Sequence, residues 1–367
     1  MRTRFFIRSH TRGFSLIELM VALTIGSILI AGAVYVYSQT RVTYTVNDST
    51  ARMQEEGRYA LSLIEPDIQL AGLYGYTNAY DDVHLLAGGA TTPVVQLQQA
   101  DPAAVGLTGA AIACGNNFAV DLMATVQGSD NRFRLGPGAN APGGGSGCAI
   151  DTPVATSDTL TIRRASTNAA VAEVNRLQLY LNRLQPSDQE MFVDGVPSGG
   201  IVAQYRELRN LFVRSYYVSQ DSDGRPGYPA LRVISLGSGE AFTDLELVPG
   251  VEDLQVQFGV DTGDYNNDGA IDNDADGNGI PDSTNGIATR YVNPEDPILQ
   301  PPPAGRSAQI VTVRLWLRLR TDQPETGFQD TRNYLYANTN YTPAGAAAAY
   351  RRIVMTRTIY LRNARTL

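Results

Sequence analysis

Lysine is missing altogether, so that all 29 basic residues are arginine. Histidine occurs twice, cysteine twice and tryptophan once in 367 residues. His10 sits in the basic start of the chain, which leaves His84 as the one histidine in all that follows. A multi-histidine metal centre cannot be assembled from this supply. A Ser-His-Asp triad would have to use His84, and no Gly-x-Ser-x-Gly element accompanies it. In Asp81-Asp-Val-His-Leu-Leu it reads as a loop residue. The acid pair Glu252 and Asp253 is a poor glycosidase pair, because neighbours on a strand face opposite ways. The chain reads as no enzyme. The first thirteen residues contain no acid, whereas the whole chain carries a formal net charge of −8. Such an acidic surface argues against nucleic acid as a partner.

What is present begins at Gly13-Phe-Ser-Leu-Ile-Glu18, which opens an apolar run to Tyr37. As a helix, residues 14–37 would be about 36 Å long at about 1.5 Å per residue, enough for a hydrocarbon core of about 30 Å. Arg2, Arg4, Arg8, His10 and Arg12 precede it. That positive flank belongs on the cytoplasmic side, which sends the C-terminal part across the membrane. An ordinary secretory signal places its small residue after the apolar core; here Gly13 comes before it. Glu18 is the second oddity, since an acid within a membrane segment costs about 2.5–3.5 kcal/mol at the centre and less near an end. It lies in the positive end of the helix dipole, one turn from Phe14. A new α-amine on Phe14, released by cleavage after Gly13, would be its natural counter-charge.

Gly-Phe-Ser-Leu-Ile-Glu-Leu resembles the N-terminal motif of the type IV prepilin and type II secretion pseudopilin superfamily. The resemblance implies that a membrane prepilin peptidase removes a leader at 1–13, cutting after Gly13 and methylating Phe14. It also implies that Glu18 is the assembly carboxylate, pairing with a neighbour's terminal amine. Further stretches resemble the PilW family of minor type IV pilins: 63–75, 157–165, 247–261, 313–320 and 350–363. The implied protein is a minor pilin that helps initiate or cap a pilus at its tip, with other minor pilins and the major pilin as partners. Its implied location is the inner membrane, single-pass with the head in the periplasm, and then the pilus. A minor pseudopilin of a type II secretion system and a calcium-dependent tip adhesin are the alternatives.

The helical pattern continues beyond the membrane segment. Met53, Ala60, Leu61, Ile64 and Ile68 form an apolar stripe, with Arg52, Glu55, Glu56, Arg58 and Glu65 on other faces. Pro66 predicts a kink or a new start, and Gly72 ends the helical region 14–72. A head over 73–367 follows. Residues 73–157 read as loops with short strands. Cys114 and Cys148, both outside the cytoplasm, read as a disulfide, worth about 4 kcal/mol in the chain-entropy model. Alternation marks strands near Leu160 and Ile162, across 211–218, 231–236, 253–260, 310–320 and 352–361. Thr159, Thr161 and Arg163 read as the face opposite buried Leu160 and Ile162, away from the core, and Arg314, Trp316, Arg318 and Arg320 read as a solvated face, with a partner surface as the alternative. The expected fold class is α+β, a long helix packed on an antiparallel sheet.

An acidic loop, 261–282, holds seven aspartates and no basic residue. Asp264, Asn266, Asp268, Gly269 and Ile271 match the opening of an EF-hand-like calcium loop, although its twelfth position is Ala275. A second, overlapping run, Asp272, Asp274, Asp276, Asn278 and Asp282, resembles the calcium repeats of thrombospondin type 3 modules. Two calcium ions sharing Asp272 would suit the spacing.

Overall fold

The computed structural model describes residues 13–78, 80–87, 90–93, 118–135, 151–174, 176–186, 189–192, 206–237, 242–264, 285–299 and 308–364. The chain divides into two compact units, Met1–Arg52 and Met53–Leu367. One helix, α1 (Leu16–Gln69), contributes residues to both.

In the first unit, α1 is long and apolar enough to cross a membrane. Leu16, Ile17, Leu23, Ile28, Leu29, Ile30 and Val34 are all exposed. Its start is set locally. The Ser15 hydroxyl accepts a hydrogen bond from the Glu18 N–H at 3.2 Å, and the Glu18 carboxylate accepts one from the Ser15 N–H at 3.0 Å. Ser15 and Glu18 form a capping box, each satisfying a backbone donor that the helix end leaves open.

In the second unit the expected stripe is core: Met53, Ala60, Leu61, Ile64 and Ile68 are buried. Pro66 is no boundary, for α1 runs through it to Gln69. The proline costs one amide donor, while burial of Ile64, Asp67 and Ile68 on either side holds the turn. Gly72, at φ +74°, then turns the chain out of the helix, a conformation open to glycine at little cost.

Fifteen strands follow among the described residues. The larger sheet contains β1 (Val83–Ala87), β2 (Ala90–Pro93), β3 (Val126–Ser129), β4 (Thr159–Ala165), β5 (Gln178–Asn182), β6 (Gln189–Phe192), β7 (Arg206–Ser219), β8 (Ala230–Leu236) and β9 (Phe242–Pro249). Its main path runs β2-β1-β6-β5-β7-β4-β3, with β8 joining β7 to β9. All its pairings are antiparallel except β1 with β6. A second sheet, in the order β11-β10-β12-β15, is built from β10 (Val251–Asp261), β11 (Arg290–Val292), β12 (Gln309–Arg320) and β15 (Arg352–Tyr360). A small hairpin joins β13 (Tyr334–Tyr336) to β14 (Thr339–Tyr341). The fold is α+β and pilin-like, a long apolar helix with a curled, mostly antiparallel sheet domain.

Both sheets share one core with the helix: Ile64 and Ile68 belong to the cluster of Leu160, Ile162, Leu254, Phe258, Leu315 and Leu317. Burying each of these isoleucines is worth about 1.5–3 kcal/mol. At Gly57 an added Cβ would come 2.3 Å from Met355 Sδ on β15 and 3.1 Å from Leu319 on β12, so a glycine is what permits this approach.

Three expectations need correcting. Thr159, Thr161 and Arg163 are buried rather than turned away from the core, because β4 is covered on both faces and the Arg163 guanidinium bonds the carbonyls of Phe118 and Ala124. The arginine face of β12 is covered at one position: Arg318 is buried under the rings of Tyr336 and Tyr341, while Arg314, Trp316 and Arg320 are half-buried. His84 lies in β1, not in a loop.

Candidate functional site

The motif residues Gly13 and Phe14 precede the capping box, with Phe14 88% exposed. Nothing lies within 4 Å of a Cβ placed on Gly13. The Glu18 side chain uses Oε2 for the cap. This arrangement places Phe14 and the Glu18 carboxylate on the same exposed end of the helix. The cap escaped the expectations above, although Ser15-x-x-Glu18 carries its own signature.

A second carboxylate of α1 is held quite differently. Asp67, 2% exposed, accepts bonds from Arg164 Nε and Nη2 at 2.9 and 2.6 Å. It also accepts from Arg214 Nη1 at 2.9 and 3.1 Å and from the Tyr216 hydroxyl at 2.5 Å. Burial works against the Arg214 charge, but Asp67 beside it prevails and holds the guanidinium above its ordinary pKa. Burial and then Asp67 push the Tyr216 hydroxyl well up. This cluster ties the last turns of α1 to β4 and β7. The sequence held one hint, an acid between Ile64 and Ile68 on a core-facing stripe.

Glu252 and Asp253 both reach one arginine, which strand alternation would not predict. A register irregularity between Val251 and Asp253 breaks strand alternation, as a β-bulge does. Both acids then reach Arg318, Glu252 at 3.0 Å and Asp253 at 3.6 Å. Glu252 is further held by Arg352 at 2.7 Å, and Asp253 by the Tyr336 hydroxyl at 2.6 Å. They are structural ion pairs closing the β13–β14 region over the second sheet. Elsewhere, Asp158 accepts backbone N–H bonds from Asn131 and Val256. Its burial outweighs them, and its pKa is pushed up to about 8.

The acidic loop leaves the sheet through a closed neck. Asp261 is fully buried and accepts from the N–H groups of Gly263 at 3.1 Å and Gly286 at 2.9 Å. Thr262 and Thr289 hydroxyls meet at 2.9 Å beside it. Of the expected calcium ligands, Asp264 is described; Asn266, Asp268, Asp272, Asp274, Asp276, Asn278 and Asp282 lie outside the described residues. Cys114 and Cys148, and with them the disulfide, also lie outside. Among the described residues no cluster of three or more His, Cys, Asp or Glu could hold a metal ion.

The family model of the prokaryotic N-terminal methylation motif matches residues 8–34, and that of PilW, described as type IV pilus-assembly protein W, matches residues 215–363. Over these two stretches the chain is similar to type IV pilins at its N-terminus and to PilW across its C-terminal strands. Neither model covers 35–214, so the Asp67 contacts to Arg164 and Arg214 fall outside both. The PilW match takes in Tyr216, β8 to β15, the Glu252–Arg318–Arg352 pairs and the acidic loop. No curated protein and no solved structure matches.

Proposed function

We propose that this pilin-like chain is a PilW-like minor pilin, cleaved after Gly13 by a prepilin peptidase, that helps initiate or cap a type IV pilus at its tip. The observation that carries this reading is the pairing of a methylation motif at the head of an apolar helix with a PilW match over the C-terminal strands. Before assembly the chain sits in the inner membrane by α1, its head in the periplasm. During assembly the apolar helix trades lipid for the helices of other minor pilins and the major pilin. Glu18 would then meet a neighbour's terminal amine. Its Oε2 is engaged by the cap, which leaves Oε1 to accept from that amine.

The test has two parts. Mass spectrometry of the isolated chain should show a new N-terminus at Phe14, methylated, and Glu18→Ala should be cleaved normally yet fail to co-purify with pilus proteins. Retention of residues 1–13 in a cell that processes other prepilins would end this reading. Recovery of secretion components instead of pilins would turn it to a type II pseudopilin, which the PilW match disfavours.

The calcium reading of the 264–282 loop and the Cys114–Cys148 disulfide rest on sequence alone. Calcium at millimolar concentration should raise the melting temperature by mass action; an unchanged melting temperature removes calcium from the account, and with it the adhesin alternative.

A further inference from the structure

The outer edge of β15 is closed at both ends and open in the middle. In the β12–β15 ladder the Thr321 N–H donates to the Arg351 carbonyl at 2.9 Å, and the Leu361 N–H to the Val311 carbonyl at 3.0 Å. The register pairs Leu319 with Ile353, Leu317 with Met355, Leu315 with Arg357 and Val313 with Ile359. Odd-numbered residues of β15 therefore spend their backbone groups on β12, and even-numbered residues turn theirs outward. At one end the Arg352 carbonyl accepts from Arg332 Nη2 at 2.9 Å. At the other the Arg362 N–H donates to the Gln69 carbonyl, at the end of α1, at 3.1 Å. Between these caps Val354, Thr356, Thr358 and Tyr360 present N–H and C=O groups to which no described residue bonds. Thr356, Arg357, Thr358 and Tyr360 are exposed.

We propose that this window, Val354–Tyr360, accepts an extended, carboxylate-bearing strand from another subunit of the same pilus assembly. The inference rests on the pilin reading above and adds the surface by which the head meets its neighbour. Unpaired edge groups are a template for strand addition, and capping the two ends while leaving the centre bare fixes where a strand can enter. Charge selects its side chains. No Asp or Glu follows Asp330, whereas Arg332, Arg351, Arg352, Arg357, Arg362 and Arg365 do; the first three are paired with Asp330, Glu325 and Glu252. Arg357 is met by Glu65 at 2.7 Å, but Arg362 and the neighbouring Arg314 of β12 have no ion-pair partner among the described residues. Arg314 instead lies over Tyr291 at 3.6 Å and bonds the Thr358 hydroxyl at 3.3 Å.

Thr356→Pro tests this without touching the ladder, because the N–H it removes points outward; Thr356→Val keeps that N–H and serves as control. In the full chain, expressed in pilus-producing cells, Thr356→Pro should keep the wild-type melting temperature within a few degrees and reduce co-purified pilus proteins at least tenfold. Thr356→Val should reduce them less than twofold. A photo-crosslinking benzoylphenylalanine in place of Tyr360 should join one short segment of another pilus subunit, a segment containing Asp or Glu. Undiminished recovery with Thr356→Pro, or cross-links confined to a second copy of this chain, would overturn the proposal. Should Thr356→Pro unfold, the cross-link decides alone. A wild-type chain that brings down no pilus protein defeats the function proposed above, and this inference with it, so the two failures are told apart.

Discussion

Glu18 and Asp67 are two carboxylates on one helix with opposite circumstances. Glu18 stands on an exposed first turn and bonds a single backbone N–H. Asp67 is buried and saturated by two arginines and a tyrosine. The same contrast runs through their surroundings, since the apolar side chains near Glu18 are exposed and those beside Asp67 are core. A saturated carboxylate fixes the fold it belongs to; one with an oxygen to spare has the acceptor that the proposed contact with a neighbouring subunit needs.

The sharpest way to break this comparison is Asp67→Ala. Removing one member of a buried ion-pair cluster leaves the others charged and unpaired, which costs about 3–5 kcal/mol. Denaturant unfolding of the full chain in detergent should show that loss. A change below about 1 kcal/mol would mean that Asp67 and Glu18 do not differ as argued.

Ile64→Ala against Ile25→Ala extends the contrast from charge to packing. Ile64 is 0% exposed and Ile25 54% exposed. The first should cost about 2–5 kcal/mol and the second about 0.5 kcal/mol or less. If the proposed assembly holds, Ile25→Ala should instead lower recovery of pilus proteins, measured by co-purification, while Ile64→Ala acts through stability.

These differences were only partly legible in the sequence. The stripe from Met53 to Ile68 and the strands β10, β12 and β15 showed themselves because one face of each is core and the other carries polar residues, whereas β7 and β8, which feed core clusters on both faces, showed themselves as apolar runs on either side of a turn cluster. Strands β5, β6 and β9 gave no such signal. In β5 all five positions are buried, and burial on both faces erases alternation. The same effect made Arg163 look turned away from the core. Ion pairs resisted for another reason: Asp67 and Arg214 are 147 residues apart, and only the completed sheet brings them together. That Glu252 and Asp253 share one arginine was not legible because a bulge, invisible in composition, reset the facing of adjacent residues.

Asp158 offers a pH test of buried against exposed acid. Its folded-state pKa of about 8 lies above the ordinary unfolded value of about 3.9. The fold therefore binds the proton more tightly than the unfolded chain. Its contribution is fully present below about pH 4 and is lost as pH rises through about 8, at up to about 1.4 kcal/mol per unit. Asp158→Ala should flatten the fall in stability between pH 6 and 8.5, measured as melting temperature in both chains. Parallel curves for the two would assign the fall to other groups.

The smallest change in stability separates the observed cap of Glu18 from its proposed part in assembly. Ser15→Ala removes one half of the capping box and should cost about 1 kcal/mol, seen as faster amide exchange over the first turn of α1. Glu18→Gln keeps the cap, because a glutamine at this position also reaches back to the Ser15 N–H, but it carries no charge to meet an amine. If the cap were all that Glu18 supplies, Glu18→Gln would assemble normally and Ser15→Ala would not. If the spare oxygen is for a neighbour, Glu18→Gln should lose co-assembly at least tenfold while its first turn exchanges as slowly as the wild type. Ser15→Ala should then assemble with a frayed helix end. The pair of variants thus distinguishes a carboxylate that serves its own helix from one that serves the next subunit.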